Sequence, residues 1–332
     1  MKNYIGNPLQ IRGAEQYTLQ NGKGDGMHFL NIRNGLGIEI WISLDRAGDV
    51  SRLNFKGDNM GYFAPCGYVA PQYYDNVGSG FLKSFTAGFF TTCGLTAVGS
   101  PCNDEGEELP LHGTISHIPA ELCAIEENSD ELIVKLKVRY SALFGRKLVM
   151  NRIYTISYTE NLFTVSDTVT NEADIESPYM ILYHCNMGYP LLSENSIVKI
   201  PNNSIIARNQ HAKDYIETAL QMEKPQTGYE ECCYYYDVEE NGGTAKVGIF
   251  NGDIEKGLVM SYDKANLPYF TEWKMMGKSD YVLGLEPGNC TPDGRDVFRK
   301  NGTLKILRPN ESVTTNIKFS FVSKLGDFEG EF

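Results

Sequence analysis

An all-β fold built from large antiparallel sheets is what this 332-residue sequence predicts, on three observations. Period-two alternation of apolar and polar residues runs through most of the chain, convincing helical periodicity is scarce, and no linker-like, repeated or low-complexity stretch divides it. Successive strand side chains point to opposite faces, so such alternation marks sheets with one buried face. A single domain spanning residues 1–332 is the expected organisation.

The first clear strand is Gly37–Leu44. The segment from Gly61 to Gly94 is rich in Gly, Pro and aromatics and reads as long loops threaded with short strands. Leu132, Val134, Leu136 and Val138 then share one side of a run whose other side carries Lys135, Lys137 and Arg139. Arg152–Tyr158 and Leu162–Val169 flank the polar turn Thr159-Glu160-Asn161, a hairpin signature of β-branched and aromatic residues broken by turn chemistry. A strand starting near Tyr179 runs into Tyr183-His184-Cys185-Asn186-Met187-Gly188-Tyr189-Pro190, and Asp214–Glu223 reads as a short helix or a covering loop. Further strands are expected at Thr244–Phe250, Gly257–Tyr262, Tyr281–Glu286 and Val313–Val322.

Composition narrows the partners. The chain is 42% hydrophobic and 22% charged, an ordinary globular balance, and its net charge of -12 weighs against nucleic acid, which needs a concentrated basic face. Neutral sugars, cations or a protein surface are easier partners, and a phosphorylated ligand stays open because two or three local Arg or Lys side chains suffice to hold one phosphate. The start, Met1 to Gly6, leads into no apolar run, and no stretch approaches the length needed to cross a bilayer, so no membrane association and a cytoplasmic location are expected. The cysteines at 66, 93, 102, 123, 185, 232, 233 and 290 form neither a paired zinc spacing nor a dense disulfide framework and read as buried thiols; Cys232 and Cys233 read as neighbouring strand thiols, with a vicinal disulfide as the alternative. No Gly-rich phosphate loop, dinucleotide fingerprint or serine elbow is present, so nucleotide chemistry and serine hydrolysis drop out.

Three neighbourhoods carry candidate chemistry. On a regular strand His184 and Asn186 share a face, so an imidazole and a carboxamide stand together before a Gly-Tyr-Pro turn; the competing reading is a structural histidine holding a loop. In Leu283-Gly284-Leu285-Glu286-Pro287 the alternation sends Glu286 to the side of Gly284, leaving room for a ligand, and the following proline keeps Glu286 extended. His112 sits in the Pro/Gly-bracketed run Glu107–Gly113; His117, five residues on, would face the opposite way on a regular strand, so the two are not expected to share a metal, and no metal or cofactor is assigned. Trp273 is a candidate platform for the C–H face of a sugar ring, with core packing as its alternative, and Lys274 beside it a candidate contact. Arg46, in Asp45-Arg46-Ala47-Gly48-Asp49, is a candidate for ligand hydroxyls or phosphate, against an ion pair with Asp45 or Asp49. His28 and His211 lack polar company and read as surface residues.

Taken together, the order of a His-Gly element, a strand-end histidine and a C-terminal Leu-Glu-Pro element resembles the aldose 1-epimerase (galactose mutarotase-like) superfamily over most of the chain. Leu285-Glu286-Pro287 with Pro292-Asp293 is similar to the family's glutamate segment, and Leu111-His112-Gly113 to the end of its Asn-His-Leu-His-Gly element. Phe81-Leu82, Thr91–Leu95, His112–Ser116 with Pro119-Ala120, and His184-x-Asn186-x-Gly188-Tyr189-Pro190 resemble more closely an uncharacterised branch of that superfamily. The resemblance implies a β-supersandwich with a ligand cleft lined by strand-end residues. It also implies that His184 protonates the ring oxygen of a carbohydrate, that Glu286 takes the anomeric hydroxyl proton, and that His112 binds or orients the sugar. Pro110 stands where the family has its first histidine, His184-Cys185-Asn186 replaces a His-Pro-Tyr-Phe-Asn form, and no residue matches the family's sugar-binding aspartate, which puts simple galactose or glucose mutarotation in doubt. Two rival readings stand beside it. One is a sugar isomerase or lyase, metal-assisted through His112, His184 and Glu286; the other is a carbohydrate-binding protein without turnover.

Overall fold

The structure, a computed structural model, describes residues 4–332. About half of the chain is strand and only 11% helix, so the alternation read along the sequence is realised as sheets. An N-terminal five-stranded sheet runs Gly13–Thr18, His28–Arg33, Ile38–Ser43, Asp49–Phe55, Asp58–Asn59 in spatial as in chain order. A nine-stranded sheet follows the spatial order Glu121–Glu127, Glu131–Ser141, Lys147–Ser157, Leu162–Asn171, Ser312–Val322, Lys256–Asp263, Thr244–Asn251, Ser196–Lys199, with Glu240–Asn241 also paired to Thr244–Asn251. A six-stranded sheet is ordered Asn202–Ala207, Cys232–Val238, Tyr269–Met276, Tyr281–Gly288, Met180–Met187, Phe90–Leu95. Neighbouring strands in all three sheets pair antiparallel, and the whole is the β-supersandwich expected from the sequence.

One continuous apolar core joins the sheets. Ile32, Ile40 and Leu53 enter it from the first, Val134, Met150, Phe163 and Phe319 from the second, and Ile181, Tyr183, Cys185, Leu283 and Leu285 from the third. Each such side chain contributes roughly 1.5–3 kcal/mol by leaving water. In the six-stranded sheet the odd-numbered residues of Met180–Met187 and Tyr281–Gly288 take the core, which obliges His184, Asn186, Gly284 and Glu286 to the opposite face.

Within the core lies an ionic knot. Arg152 is fully buried; its guanidinium donates to Asp49 at 2.7 Å, to both oxygens of Asp167 at 2.8 and 2.7 Å, and to Thr92 Oγ1 at 2.7 Å. Asp49, Asp167 and Thr92 belong to the five-, nine- and six-stranded sheets respectively, so one side chain fastens all three together.

Most expected strands stand where the alternation put them, Ile38–Ser43 and Tyr281–Gly288 among them. The hairpin about residues 159–161 forms between Lys147–Ser157 and Leu162–Asn171. The segment 61–94 is loop with short 3-10 turns at Pro71–Tyr73 and Gly80–Lys83 and short strands. The short helix comes earlier than expected, at Gln210–Asp214, because Asn209 caps it by accepting from the Ala212 amide; a 3-10 turn at Ile216–Thr218 follows. Two readings are corrected. Residues 112–117 are not a strand but a turn leading into the 3-10 helix Ile115–His117, so strand alternation says nothing about how His112 and His117 face. The eight cysteines are free thiols, but only five are buried: Cys123 is exposed on the strand Glu121–Glu127, and Cys66 and Cys102 are half-buried. Among the described residues no helix is long and apolar enough to cross a membrane.

Candidate active site

Register turns two separate strand-end residues into a pair. Leu182 pairs with Gly288 and Cys185 with Leu285, which sets His184 directly across from Glu286 on the outer face of the six-stranded sheet. His184 Nδ1 lies 3.3 Å from Glu286 Oε1, both side chains are almost wholly buried, and neither atom has a hydrogen-bond partner of good geometry. Two unpartnered polar groups so deeply buried are costly to a fold, and sites where such groups gather are candidates for ligand binding. Gly284 makes the room: its side of the sheet is the Glu286 side, and a Cβ there would stand 2.3 Å from Glu286 Oε1.

Around this pair a cleft of about 660 Å³ is lined by His112, Arg208, Glu231, Cys233 and Trp273 as well as His184 and Glu286. Phe81, Leu82 and Phe85 from the loop after residue 64 and Leu111 and Pro292 complete its apolar wall. Trp273 meets the His184 ring edge-to-face, 5.2 Å between centroids at 77°, and Phe85 meets it at 5.1 Å and 62°. His112 stands behind, 5.5 Å from His184 between ring centroids. Its backbone is in the left-handed region at φ 58, where a residue with a Cβ is strained, and it is held by its amide donating to the Gly99 carbonyl at 2.9 Å and its carbonyl accepting from the Gly94 amide at 3.1 Å. Only glycine fits at 113, since a Cβ would come within 2.4 Å of the Gly94 carbonyl oxygen.

Burial sets the protonation of the site. It brings the His184 imidazole down to about 4 and pushes the Glu286 carboxyl well up, the latter helped by the charge of Glu231 and opposed by Arg208. His112 is held well below the usual imidazole range by burial and then by His184 and Arg208. In the free protein near neutrality His184 and His112 are therefore uncharged, and burial favours the protonated form of the Glu286 carboxyl.

Of the seven residues singled out from sequence, four converge here: His112, His184, Trp273 and Glu286. Asn186 lies on the same strand face but fully buried beneath the cleft, its amide donating to the carbonyls of His184 at 2.8 Å and Ala87 at 3.3 Å. Lys274 points the other way, because consecutive strand residues alternate; its ammonium donates to the carbonyls of Thr218 at 3.1 Å and Gln221 at 2.6 Å. Arg46 is likewise outside the cleft. Its guanidinium is taken up by the carbonyls of Ser116 at 2.5 Å, Val69 at 3.0 Å and Ser84 at 2.9 Å, and burial lowers it to about 10. Asp49 pairs with Arg152 instead, and His28 rather than Arg46 meets Asp45. His117 is buried and stacked on Tyr74 at 3.6 Å.

Arg208 and Glu231 were not legible in the sequence, since neither sits in a motif. Arg208 donates to Ser100 Oγ at 2.9 Å and the Pro292 carbonyl at 3.1 Å and lies 3.5 Å from Asp293. Glu231 accepts from the Trp273 indole N–H at 2.6 Å. Among the described residues no group of three or more His, Cys, Asp and Glu side chains is arranged to hold a metal ion.

Comparison with known proteins adds family and fold. A family model described as "Domain of unknown function (DUF4432)" matches residues 24–321. The structure superposes with a TM-score of 0.90 and 25% identity on a Klebsiella pneumoniae protein described as "a putative aldose 1-epimerase", covering 96% of this chain and 85% of that one. A galactose mutarotase-like protein of Clostridium acetobutylicum (TM-score 0.68, 15% identity, 95% and 99% coverage) shares the fold. So does the galactose 1-epimerase of Lactobacillus acidophilus (TM-score 0.63, 13% identity, 94% and 99% coverage). Over 135 residues the chain is also 28% identical to the tryptophan synthase alpha chain of Streptococcus pneumoniae, a match that takes in 41% of this chain and 45% of that one. The chain thus spans under half the length of the curated relatives it matches.

Proposed function

The chain belongs to the family described as DUF4432, whose model covers residues 24–321, and we propose that it is a carbohydrate-binding enzyme that interconverts the anomers of an aldose by general acid–base catalysis. The observation that carries this reading is the His184–Glu286 pair, 3.3 Å apart and buried in a cleft walled by aromatic rings.

Opening a hemiacetal needs a proton delivered to the ring oxygen and another removed from the anomeric hydroxyl, two oxygens on one carbon. A pair that holds one proton and has one free basic site meets that requirement. The donor gives its proton as the bond between the anomeric carbon and the ring oxygen breaks; the acceptor takes the hydroxyl proton as the carbonyl forms. After rotation about the bond to the neighbouring carbon, each group reverses its part as the ring closes on the other face. His184 as donor and Glu286 as acceptor is the assignment implied by the family resemblance. Burial favours the proton on Glu286 in the free protein, so this assignment requires the bound sugar to bring the proton to His184 before the ring opens. Trp273 offers its ring to the apolar face of the sugar, and His112, uncharged, offers a hydrogen bond to a hydroxyl.

The test is exchange between anomers, followed by NMR saturation transfer over a panel of aldoses. His184→Asn and Glu286→Gln preserve shape and should each slow exchange by about 10²–10⁴-fold while the protein stays folded. Glu286→Gln exchanging a sugar at the wild-type rate would remove Glu286 from the mechanism. Tight binding with no exchange above buffer for any sugar would identify a binding protein instead.

A further inference from the structure

The residue that sequence reading missed and the acid–base scheme leaves unused is Glu231. It precedes the strand Cys232–Val238, and side chains 230 to 233 alternate between two cavities. Glu231 and Cys233 line the cleft, whereas Glu230 and Cys232 line a separate hollow with His211 and Tyr215. Cys233 pairs with Trp273 in the sheet, which brings Glu231 beside the indole. The indole N–H donates to Glu231 Oε2 at 2.6 Å, and the same ring stands 5.2 Å from His184 between centroids.

We infer that Glu231 is a positioning residue of this cleft: its carboxylate fixes the Trp273 ring edge-on to His184, and its charge faces the Glu286 side of the site. A tryptophan has one polar handle, so the partner of its N–H decides how the ring is turned, and a charged acceptor holds it more firmly than a neutral one. The charge has a second consequence. The titratable and charged groups around Glu286 are His184 and Cys185 from the paired strand, Cys93 from the strand beyond it, Cys233 and Glu231 from across the Trp273 strand, and Arg208 and His112 at the cleft wall. With the histidines neutral, Glu231 is the group besides burial that favours the protonated carboxyl of Glu286, against Arg208. Glu231 therefore acts on the site in two ways, by its bond to Trp273 and by adding its charge to burial in favouring the protonated Glu286 carboxyl.

Two variants separate the roles. Glu231→Gln keeps an acceptor for the indole and removes the charge; Glu231→Leu removes both. The readout that needs no substrate is the indole N–H resonance of Trp273 in ¹⁵N-labelled protein, told apart from that of Trp41, the other tryptophan, by Trp41→Phe. It should shift and broaden in Glu231→Leu and stay near its wild-type position in Glu231→Gln. A ¹³C titration of the Glu286 carboxyl should move to lower pH in both. On any sugar that wild type exchanges, Glu231→Leu should raise KM about tenfold, the worth of one hydrogen bond to a charged group, and Glu231→Gln should recover most of it. This kinetic arm rests on the anomer-exchange reading; the two NMR arms do not. An indole resonance unmoved in Glu231→Leu, or a Glu286 titration unmoved in Glu231→Gln, overturns the inference. Absence of exchange by wild type with the NMR shifts present would retire the exchange reading and leave Glu231 as the residue that positions this cleft.

Discussion

Replacing Arg152 by methionine removes the cation that joins the three sheets while keeping much of its apolar stem. Asp49 would retain its bonds from the Thr92 amide at 2.9 Å and Thr92 hydroxyl at 2.6 Å, and Asp167 its bond from Tyr183 at 2.7 Å. Both carboxylates would otherwise be buried charges without a counter-ion, and breaking such a group by deleting one partner costs about 3–5 kcal/mol near neutral pH. In the intact protein burial already lifts the Asp49 carboxyl above its ordinary value of 3.8, with Arg152 opposing. Without Arg152 that opposition is gone, and the folded-state pKa rises further. A carboxyl whose folded pKa exceeds its unfolded one contributes stability that is present below the unfolded value and is lost as pH rises. The deficit of Arg152→Met relative to wild type should therefore shrink on acidification, by up to about 1.4 kcal/mol per pH unit for each affected carboxylate. Urea unfolding of both proteins at about pH 7.5 and about pH 5.5 measures it. A deficit under about 1 kcal/mol at the higher pH, or one equal at both, would show that the knot is not what binds the sheets. Adding Asp49→Asn and Asp167→Asn to Arg152→Met should recover a good part of the loss, since a neutral replacement of the whole group leaves no buried charge.

Gly284→Ala tests the room made for the carboxylate: the new Cβ, 2.3 Å from Glu286 Oε1, must push that group aside by about 1 Å, and exchange should fall about 10²-fold for an overpacking cost of about 1–3 kcal/mol, with an unchanged rate counting against Glu286 as a reacting group. Exchange should follow a bell in pH, because only the singly protonated His184–Glu286 pair works. Its acid limb should lie near 4, where His184 also gains a proton, and its alkaline limb well above the ordinary carboxyl range; both are properties of the pair, and a flat profile between about pH 3 and 9 would exclude the scheme. Glu272, buried behind the site with Tyr236 donating at 2.6 Å, has its carboxyl raised by burial from 4.5 to about 7. The stability it contributes is complete below about 4.5 and lost as pH rises through 7, so Glu272→Gln should gain on wild type between about pH 5 and 8 in urea titrations, by up to about 1.4 kcal/mol per pH unit; a constant difference would contradict this.

What the sequence determined by itself is what short-range geometry can carry. Alternation makes strands, and within a strand it fixes faces: His184 goes with Asn186, and Glu286 with Gly284, whatever the rest of the molecule does. The same rule separates Trp273 from Lys274, so the pair could not both meet a ligand, and it is Lys274 that turns away to the carbonyls of Thr218 and Gln221. Turn chemistry and the motif order were enough to place His112, His184 and Glu286 in one resemblance. Register, by contrast, is a property of two strands, and His184 faces Glu286 only because Cys185 is paired with Leu285 across about a hundred residues of chain. Arg46 shows the other side of the same limit. An arginine beside two aspartates reads as a binding or ion-pairing group, yet three carbonyls from residues 69, 84 and 116 converge on it, and no local pattern announces them. Arg208 and Glu231 reach the cleft for the same reason, from the ends of strands that tertiary pairing alone brings alongside. Backbone pairing and the choice of which sheet face is covered are decided by contacts distant in sequence, and so the cleft, unlike its individual residues, exists only in the folded chain.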